Sequence, residues 1–303
     1  MVIRYQYHSL EDFLATNPLS VDAQIDDGWG ALFPVKGREI EATILFSDVS
    51  GFSRRTLALS PTETLIFVNN FFTWISAEAL RGRPGVVDKY IGDENMVVFS
   101  KEFGSDDPFV DAVQTARWMS EHDALDFSPH IGIASGPVTV GYVGTPIKYN
   151  CSVFGAPVAM AARCAAVKQE NLDNRLTSTV IVFPSSEWGD RSFKEVFPPV
   201  KYREPDGTIT EQPHAWEMRT PRKVPMKNLP DTEITEIVNC SAHFPHQTAE
   251  ERARRTLQVI QEAGRYWPSR RLSTNSTGRE GPVGVPGPKQ AGASKKRRRK
   301  KGE

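Results

Sequence analysis

The hydrophobic and polar positions in the first third of the chain predict a strand followed by a helix. Residues 42–49 (ATILFSDV) form a short apolar run rich in strand-forming residues, and a Ser-Gly pair ends it. Apolar positions then recur at near-helical spacing over residues 61–80. Pro61 suits the first turn of this helix and Ser60 suits its N-cap.

The same patterns continue to residue 167 and recur beyond it. Strands are predicted at residues 86–91, 96–99, 130–134, 138–143, 179–183 and 214–219, and helices at residues 9–17, 109–121, 155–167 and 249–262. Turn signals join the paired strands at residues 92–95 (GDEN) and 135–137 (SGP). This order favours an α+β fold, with an antiparallel sheet covered by helices on one face.

Composition divides the chain into four segments. They are an N-terminal extension (residues 1–40), an α+β domain (41–220), a C-terminal helical extension (221–267) and a basic tail (268–303). Within them, residues 202–236 are rich in proline and charge and are expected to form loops over the sheet.

Charge separates the tail from the rest of the chain. The tail carries 11 basic and 2 acidic residues, whereas residues 1–267 carry 26 basic and 35 acidic residues. The tail has few apolar residues to bury and is expected to be disordered. An acidic folded part disfavours a nucleic-acid-binding domain, so no nucleic-acid partner is expected.

Cysteine content and hydropathy limit the type of protein. The three cysteines, Cys151, Cys164 and Cys240, are odd in number and lack metal-ligand spacing, which argues against a disulfide scaffold and a zinc finger. No apolar run approaches the ~20 residues of a transmembrane helix, and the N-terminus lacks a signal-peptide pattern. We therefore expect a cytoplasmic globular protein without a membrane span.

Two aspartates stand where predicted strands end. Asp48 lies at the end of the first strand, and Asp93 lies in the tip of the hairpin. If these loops lie side by side, the two carboxylates form an oxygen-ligand site for Mg²⁺ or Mn²⁺. The backbone of residues 49–52, which includes Gly51, can approach phosphate oxygens and donate N–H groups. The alternative is that each aspartate is a turn former or a helix cap.

Other catalytic motifs are absent from the sequence. The chain has no Walker A motif, GxGxxG, HExxH, GxSxG or kinase signature. Its histidines are not paired at metal-ligand spacing, and His130 is expected to be structural. The paired aspartates therefore remain the main candidate site.

Five motifs follow one another around these aspartates. They are residues 46–52 (FSDVSGF), 60–72 (with SP and VNNFF), 89–93 (KYIGD), 130–144 (with HIGIASGPV and GYVG) and 153–163 (with VFGAPV and AAR). In this order they resemble the class III nucleotide cyclases, the family of adenylate and guanylate cyclase catalytic domains. The resemblance implies a ferredoxin-like α+β domain over residues 41–220.

The resemblance also implies a reaction on a nucleoside triphosphate. Asp48 and Asp93 would hold two divalent metal ions, Mn²⁺ or Mg²⁺, with the Val49 carbonyl as a further ligand. Arg163 would stabilise the charge on the α-phosphate while the ribose 3′-hydroxyl attacks and pyrophosphate leaves. Substrate contacts are implied at Phe46, Val49, Ser50, Gly51, Phe52, Lys89, Ser152 and Ala159. Active sites of the family lie between two catalytic domains, so a head-to-tail homodimer is implied.

Two positions depart from the family pattern. Adenylate cyclases of the family read adenine with a lysine and an Asp or Thr, and guanylate cyclases place Glu and Cys there. Lys89 is retained here, which argues against GTP. Ser152, beside Cys151, can donate or accept a hydrogen bond and does not demand adenine. The helix asparagine that usually orients the ribose is replaced by Ala159.

These departures leave three functions open. The first is a changed substrate, because the chain is similar to the stand-alone bacterial pyrimidine cyclases of the Pycsar antiphage system. Those enzymes make cyclic UMP or cyclic CMP for a separate effector protein, and UTP is slightly favoured over CTP here. The second is a silent nucleotide-binding interaction module, against which the intact Asp48, Asp93 and Arg163 argue. The third is an adenylate cyclase with a relaxed base pocket.

Overall fold

The structure, a computed structural model, describes residues 6–26, 28, 30, 32–123, 125–145, 148–167, 179–203, 206–212, 215–239 and 248–263. Its helices are α1 (Leu10–Thr16), α2 (Phe52–Thr56), α3 (Pro61–Trp74), α4 (Pro108–Glu121), α5 (Ala156–Ala165), α6 (Phe193–Val196) and α7 (Ala249–Ala263). Its strands are β1 (Val21–Asp26), β2 (Leu32–Asp48), β3 (Gly85–Ile91), β4 (Glu94–Phe99), β5 (His130–Thr145), β6 (Lys148–Phe154), β7 (Thr179–Pro184), β8 (Val200–Arg203), β9 (Ile209–Gln212), β10 (Trp216–Met218), β11 (Arg222–Val224) and β12 (Thr232–Asn239). The predicted basic tail at residues 268–303 lies outside the described residues.

One large sheet organises the described part of the chain. Its strand order is β10-β12-β7-β5-β2-β4-β3, and β1 pairs with β2, β6 with β5 and β11 with β12. The pairs are antiparallel except for β5 and β7, which run parallel. Strands β8 and β9 form a separate two-stranded sheet. The predicted α+β fold is confirmed, with one parallel pair in an otherwise antiparallel pattern.

Helices cover both faces of the sheet, whereas the sequence led us to expect one covered face. Val180 and Val182 of β7 pack in one apolar cluster with Cys164 of α5. The ring of Phe183, also on β7, lies 5.2 Å from the ring of Phe109 on α4. Successive strand residues point to opposite faces, so α4 and α5 lie on opposite sides of the sheet. The expectation was wrong because short apolar strands do not show from sequence whether one or both faces are buried.

The N-terminal segment is part of the packed core. Leu10, Phe13 and Leu14 of α1 are buried in one cluster with Ala161 of α5, on the same face of the sheet. The Ser9 hydroxyl accepts a hydrogen bond from the Asp12 N–H and caps the predicted helix. The strand predicted at 42–49 is the second half of the longer β2, which runs across residue 40. Strand β1 is also found within the segment assigned as an extension.

The two strands predicted at 130–134 and 138–143 form a single strand, β5. Strand β2 pairs with it without interruption from His130 to Gly141, so residues 135–137 make no turn. Gly136 tolerates its φ of 147° because it has no side chain. On the other side of β5, the Glu187 carboxylate accepts a hydrogen bond from the Ser135 N–H at 2.8 Å. The turn preference of residues 135–137 is overridden because the long partner strand β2 pairs with the backbone of this segment.

Residues 202–236 were expected to be loops, and this expectation was wrong. They contribute β9, β10, β11 and the start of β12. Ile234 and Ile237 of β12 are fully buried, and β12 pairs with β7 inside the main sheet. The Glu236 carboxylate on the same strand is 3% exposed and binds Arg222 at 3.0 Å. Proline and charge obscured this strand because its charged residue is paired within the fold.

The predicted helix starts have the expected caps. The Ser60 hydroxyl accepts from the Glu63 N–H, and the Glu63 carboxylate accepts from the Ser60 N–H, which forms a capping box at α3. Thr248 and Glu251 make the same reciprocal pair at α7. No helix in the described ranges is long and apolar enough to cross a membrane.

Candidate active site

The two predicted aspartates meet at one end of the sheet. Ser47 pairs with Asn95 of β4, and this register brings the β3–β4 hairpin alongside the end of β2. The hairpin loop consists of Gly92 and Asp93, because Ile91 and Glu94 already pair. Gly92 has a φ of 65°, which suits glycine at the first position of a two-residue loop. The carboxylate of Asp93 therefore lies beside that of Asp48.

Burial and like charge raise the pKa values of both carboxyl groups. Burial is the largest cause that raises the pKa of Asp48 to about 7, and the nearby Asp93 and Glu94 carboxylates add to it. The His130 N–H donates to Asp48 and acts in the opposite direction. Burial and Glu94 also raise the pKa of Asp93, and the nearby backbone N–H of Val49 lowers it. No cation is among the groups that shift either pKa.

A divalent metal ion fits this arrangement. Asp48 Oδ1 is buried and has no hydrogen-bond partner among the described residues, which leaves an oxygen available as a ligand. Carboxylate oxygens are preferred ligands of Mg²⁺ and Mn²⁺. The described ranges contain no group of three or more His, Cys, Asp or Glu side chains suited to hold a metal ion. Asp48 and Asp93 would therefore share such an ion with backbone, water or substrate oxygens.

The loop after Asp48 presents free backbone groups. The Val49 carbonyl accepts from the Phe52 N–H at 3.1 Å, which starts a turn into α2. Gly51 caps α2 with a φ of 66°, a left-handed conformation that favours glycine. In the described part of the chain, no acceptor is found for the N–H groups of Ser50 and Gly51. These donors lie beside the carboxylates, where phosphate oxygens would be held.

Lys89 and Ser152, the two predicted base-contacting residues, touch each other. Lys89 Nζ donates to Ser152 Oγ at 2.5 Å. Both also contact Asp88, since Ser152 Oγ donates to Asp88 Oδ2 at 2.9 Å and Lys89 Nζ lies 3.2 Å from the same oxygen. Burial raises the pKa of Asp88, and Lys89 and Ser152 oppose this shift.

Asp88 was not predicted as a site residue, because alternation along a strand points the side chains of Asp88 and Lys89 to opposite faces of the sheet. The β3–β4 register shifts between Val87 and Lys89, which marks a β-bulge at Asp88. The bulge brings both side chains to Ser152. No sequence signal marks this bulge, because the strand has neither glycine nor proline at that point.

Phe46 lies in the same region of the sheet as Lys89. Phe46 pairs with Met96 on β4, and Met96 pairs with Lys89 on β3. Two strand spacings, about 10 Å in total, therefore separate the backbones of Phe46 and Lys89. Phe46 is buried in the apolar cluster that also contains Met96, so it can offer only part of its ring to a ligand.

Arg163 and Ala159 are not among the groups that act on the pKa of Asp48 or Asp93. They are four residues apart on α5, on the side away from buried Ala161 and Cys164. Arg163 is half-buried and makes no ion pair or hydrogen bond with the residues that the structure describes. A single chain thus brings Asp48 and Asp93 together, and separately Lys89 and Ser152, but does not join Arg163 to the aspartates.

A cavity of about 650 Å³ lies elsewhere on the sheet. Its lining includes Glu41, Thr43, Asp107, Ser135 and Arg191, and none of the predicted site residues. Its polar groups are largely paired within the fold; Arg191, for example, binds Asp107 at 2.9 Å. The candidate site is therefore defined by the carboxylate pair and not by this cavity.

A known family model matches the part of the chain that contains the carboxylate pair. Residues 35–173 match the family model described as the adenylate and guanylate cyclase catalytic domain. The matched segment is slightly less than half of the chain.

Individual proteins are also similar to this chain. Uncharacterized proteins of Mycobacterium tuberculosis and Mycobacterium bovis are each 29% identical over 154 residues, which cover 50% of this chain and 27% of those proteins. The chain thus spans about a quarter of the length of these relatives.

Solved structures of two cyclases are also similar to this chain. The adenylyl cyclase CyaB from P. aeruginosa has a TM-score of 0.49 and 17% identity, over 70% of this chain and 99% of that chain. The guanylyl cyclase Cya2 has a TM-score of 0.48 and 20% identity, over 70% of this chain and 97% of that one. The similarity to the cyclase family rests on the match over residues 35–173.

Proposed function

We propose that the protein is a metal-dependent nucleotide cyclase, which converts a nucleoside triphosphate to its 3′,5′-cyclic monophosphate and pyrophosphate. The observation that carries this proposal is the Asp48–Asp93 pair at the sheet edge, in which Asp48 has a buried oxygen without a partner. Buried polar atoms are usually paired, and this oxygen belongs to a carboxylate that lies near a second carboxylate, Asp93. A role as metal ligand explains both its burial and its lack of a partner.

Each part of the site then has a task. Asp48 and Asp93 would hold two divalent ions, which activate the ribose 3′-hydroxyl and neutralise the triphosphate when bound. The free N–H groups of Ser50 and Gly51 would orient phosphate oxygens. The forked guanidinium of Arg163 would stabilise charge on the α-phosphate.

We propose that Arg163 acts from a second copy of the chain. The groups that shift the pKa of Asp48 and Asp93 include no cation. Arg163 has no ion pair or hydrogen bond with the residues that the structure describes. A head-to-tail homodimer would place the Arg163 of one protomer at the carboxylates of the other and create two equal sites.

For the substrate we propose a pyrimidine nucleotide, UTP before CTP. The support is the pair of departures at Ser152 and Ala159 together with the retained Lys89. By resemblance, the product would be a second messenger in antiphage defence that a separate effector protein senses, and the enzyme would be cytoplasmic. The alternatives are an adenylate cyclase and a silent nucleotide-binding module.

The test is turnover with separate nucleotides. The purified chain is incubated with Mn²⁺ and ATP, GTP, CTP or UTP, and the products are identified by mass spectrometry. Cyclic UMP or cyclic CMP supports the proposal, whereas cyclic AMP supports the adenylate cyclase. The Asp48→Asn variant serves as the matched blank. If none of the four nucleotides gives more product than this blank, the result supports the silent nucleotide-binding module.

A mixing experiment tests the shared site. Asp48→Asn and Arg163→Ala are each expected to be inactive alone. When they are mixed and allowed to exchange, half of the dimers carry one intact site, so activity returns to about a quarter of wild type. A mixture that stays inactive although exchange is shown by labelled subunits would place both residues in one protomer's site.

A further inference from the structure

The contacts of Asp88 bear on whether the Ser152 hydroxyl would donate a hydrogen bond to a ligand or accept one. A serine hydroxyl has one hydrogen to donate and two lone pairs that accept. An ionised carboxylate can only accept, so the 2.9 Å bond between Ser152 Oγ and Asp88 Oδ2 uses the serine hydrogen. Lys89 Nζ can only donate, so its bond to Ser152 Oγ uses one serine lone pair. One acceptor lone pair of Ser152 then remains.

The burial of these groups makes this direction persistent. The Asp88 side chain is 0% exposed, so water does not compete for the carboxylate. Ser152 is 4% exposed, and the Lys89 side chain is 38% exposed. Asp88 is thus fully covered, Ser152 is nearly covered, and Lys89 is the most exposed of the three groups. A charge-assisted hydrogen bond in such surroundings is stronger than a neutral one.

We propose that Asp88 is a positioning residue for base selection: it fixes Ser152 as a hydrogen-bond acceptor and Lys89 as the neighbouring donor. This inference rests on the proposed function, since it assumes that a nucleotide base lies at this pair. The pocket would then favour a base edge that has an N–H group opposite Ser152 and an acceptor atom opposite Lys89. If a base places an acceptor atom opposite Ser152, a lone pair of that atom faces the remaining lone pair of Ser152 Oγ and no proton lies between them. Such a base binds weakly.

The β-bulge supports a specific role for Asp88. A carboxylate buried at a strand position costs free energy, and its second oxygen, Oδ1, has no hydrogen-bond partner among the described residues. Glu11 on α1 also acts on Asp88 with like charge. Packing alone would be better served by an apolar residue here. The gain is a fixed direction for the Ser152 hydrogen bond.

The experiment measures selectivity, because a loss of folded protein lowers the binding of all four nucleotides equally and leaves their affinity ratios unchanged. The affinities of full-length wild type for 3′-deoxy-ATP, -GTP, -CTP and -UTP, which lack the attacking hydroxyl, are measured by calorimetry with Mn²⁺. Product ratios with the ordinary triphosphates are measured in parallel. The variants are Asp88→Leu, Asp88→Asn, Ser152→Ala and the double variant Asp88→Leu/Ser152→Ala. Glu236→Gln is the control, since it also changes a buried, ion-paired carboxylate.

Asp88→Leu is expected to lower the affinity ratio of the best to the next nucleotide about tenfold, the value of one hydrogen bond. Asp88→Asn should keep part of the ratio, because its carbonyl can still accept from Ser152. In the Ser152→Ala background, Asp88→Leu should have no further effect on the ratio. Glu236→Gln should lower thermal stability and leave the ratio unchanged.

Several results would overturn the inference. One is an affinity ratio of the best to the next nucleotide in Asp88→Leu that stays within twofold of the wild-type ratio. If Asp88→Leu does not fold, the same result in both Asp88→Asn and Ser152→Ala would overturn the inference. Additive effects of the two positions, or equal binding of all four nucleotides by wild type, would do the same. Selective binding without any cyclic product would refute the proposed function but not this inference, which the binding ratios then decide.

Discussion

The backbone N–H of Val49 lies near the carboxylate of Asp93 and lowers its pKa, so the hairpin tip lies beside the residue after Asp48. The two acids come from segments 45 residues apart in the chain (93 − 48). The Ser47–Asn95 register holds the two segments side by side. The strand pairing itself therefore brings the two carboxylates together.

This preformed charge pair predicts that Asp48→Asn stabilises the metal-free protein. Burial and the nearby Asp93 and Glu94 disfavour the ionised Asp48, so a neutral side chain should raise the free energy of unfolding at pH 8 by about 1–3 kcal/mol. Turnover should be lost, and Mn²⁺ should no longer raise the melting temperature. Calorimetric scans with and without Mn²⁺ measure this, with exposed Asp22→Asn as the control. A less stable Asp48→Asn would show that Asp48 is structural.

Arg163→Ala should separate activity from stability. Arg163 has no partner within the described part of its chain, so the free energy of unfolding should change by less than about 0.5 kcal/mol. Turnover should fall about 100-fold or more, because the transition state loses a fixed cation. Arg191→Ala should show the reverse, since Arg191 binds Asp107 away from the site. Near-normal turnover of Arg163→Ala would remove Arg163 from the mechanism.

Arg252 is expected to anchor the C-terminal helix α7. Its guanidinium binds both oxygens of Asp126, at 2.9 and 2.8 Å, and also Ser128 Oγ at 3.1 Å. Arg252→Ala should cost about 1–3 kcal/mol, because it leaves a partly buried carboxylate without its partner. Arg254→Ala, which breaks a more exposed pair with Glu63, should cost less than about 1 kcal/mol. Urea unfolding compares the two, and equal losses would contradict the anchoring role.

Asp123 predicts a pH dependence of stability. Burial raises the pKa of Asp123 to about 6, against the stabilising hydrogen bonds from the Phe127 and Ser128 N–H groups. The folded state therefore holds an extra proton between about pH 4 and pH 6, and this group's contribution to stability falls as pH rises through that window. Above it, the contribution is constant.

The comparison with Asp123→Asn isolates this effect. The difference in unfolding free energy, wild type minus variant, should fall by about 2 kcal/mol between pH 4.5 and pH 7. Urea unfolding at four pH values measures it, and Asp22→Asn again serves as the exposed control. A difference that does not change with pH would mean that Asp123 keeps an ordinary pKa.

Local patterns in the sequence already determined the strand that ends at Asp48, the hairpin that carries Asp93 and the capped start of α3. These features depend on neighbouring residues: the Ser60–Glu63 capping box spans one helical turn, and Gly92 forms its turn with its immediate neighbours. The sequence motifs also indicated the cyclase family whose model matches residues 35–173. Such signals survive in sequence because short-range geometry carries them.

Long-range pairing decided the rest. Residues 135–137 look like a turn, but β2 pairs along their whole length and makes β5 continuous. β12 enters the sheet despite its charges, because Arg222 neutralises Glu236. Asp88 reaches Ser152 only through a bulge in the β3–β4 register, which alternation along the strand argues against. The chain alone specifies which groups are available, and tertiary contacts decide which of them meet, because partners distant in sequence compete with each local preference.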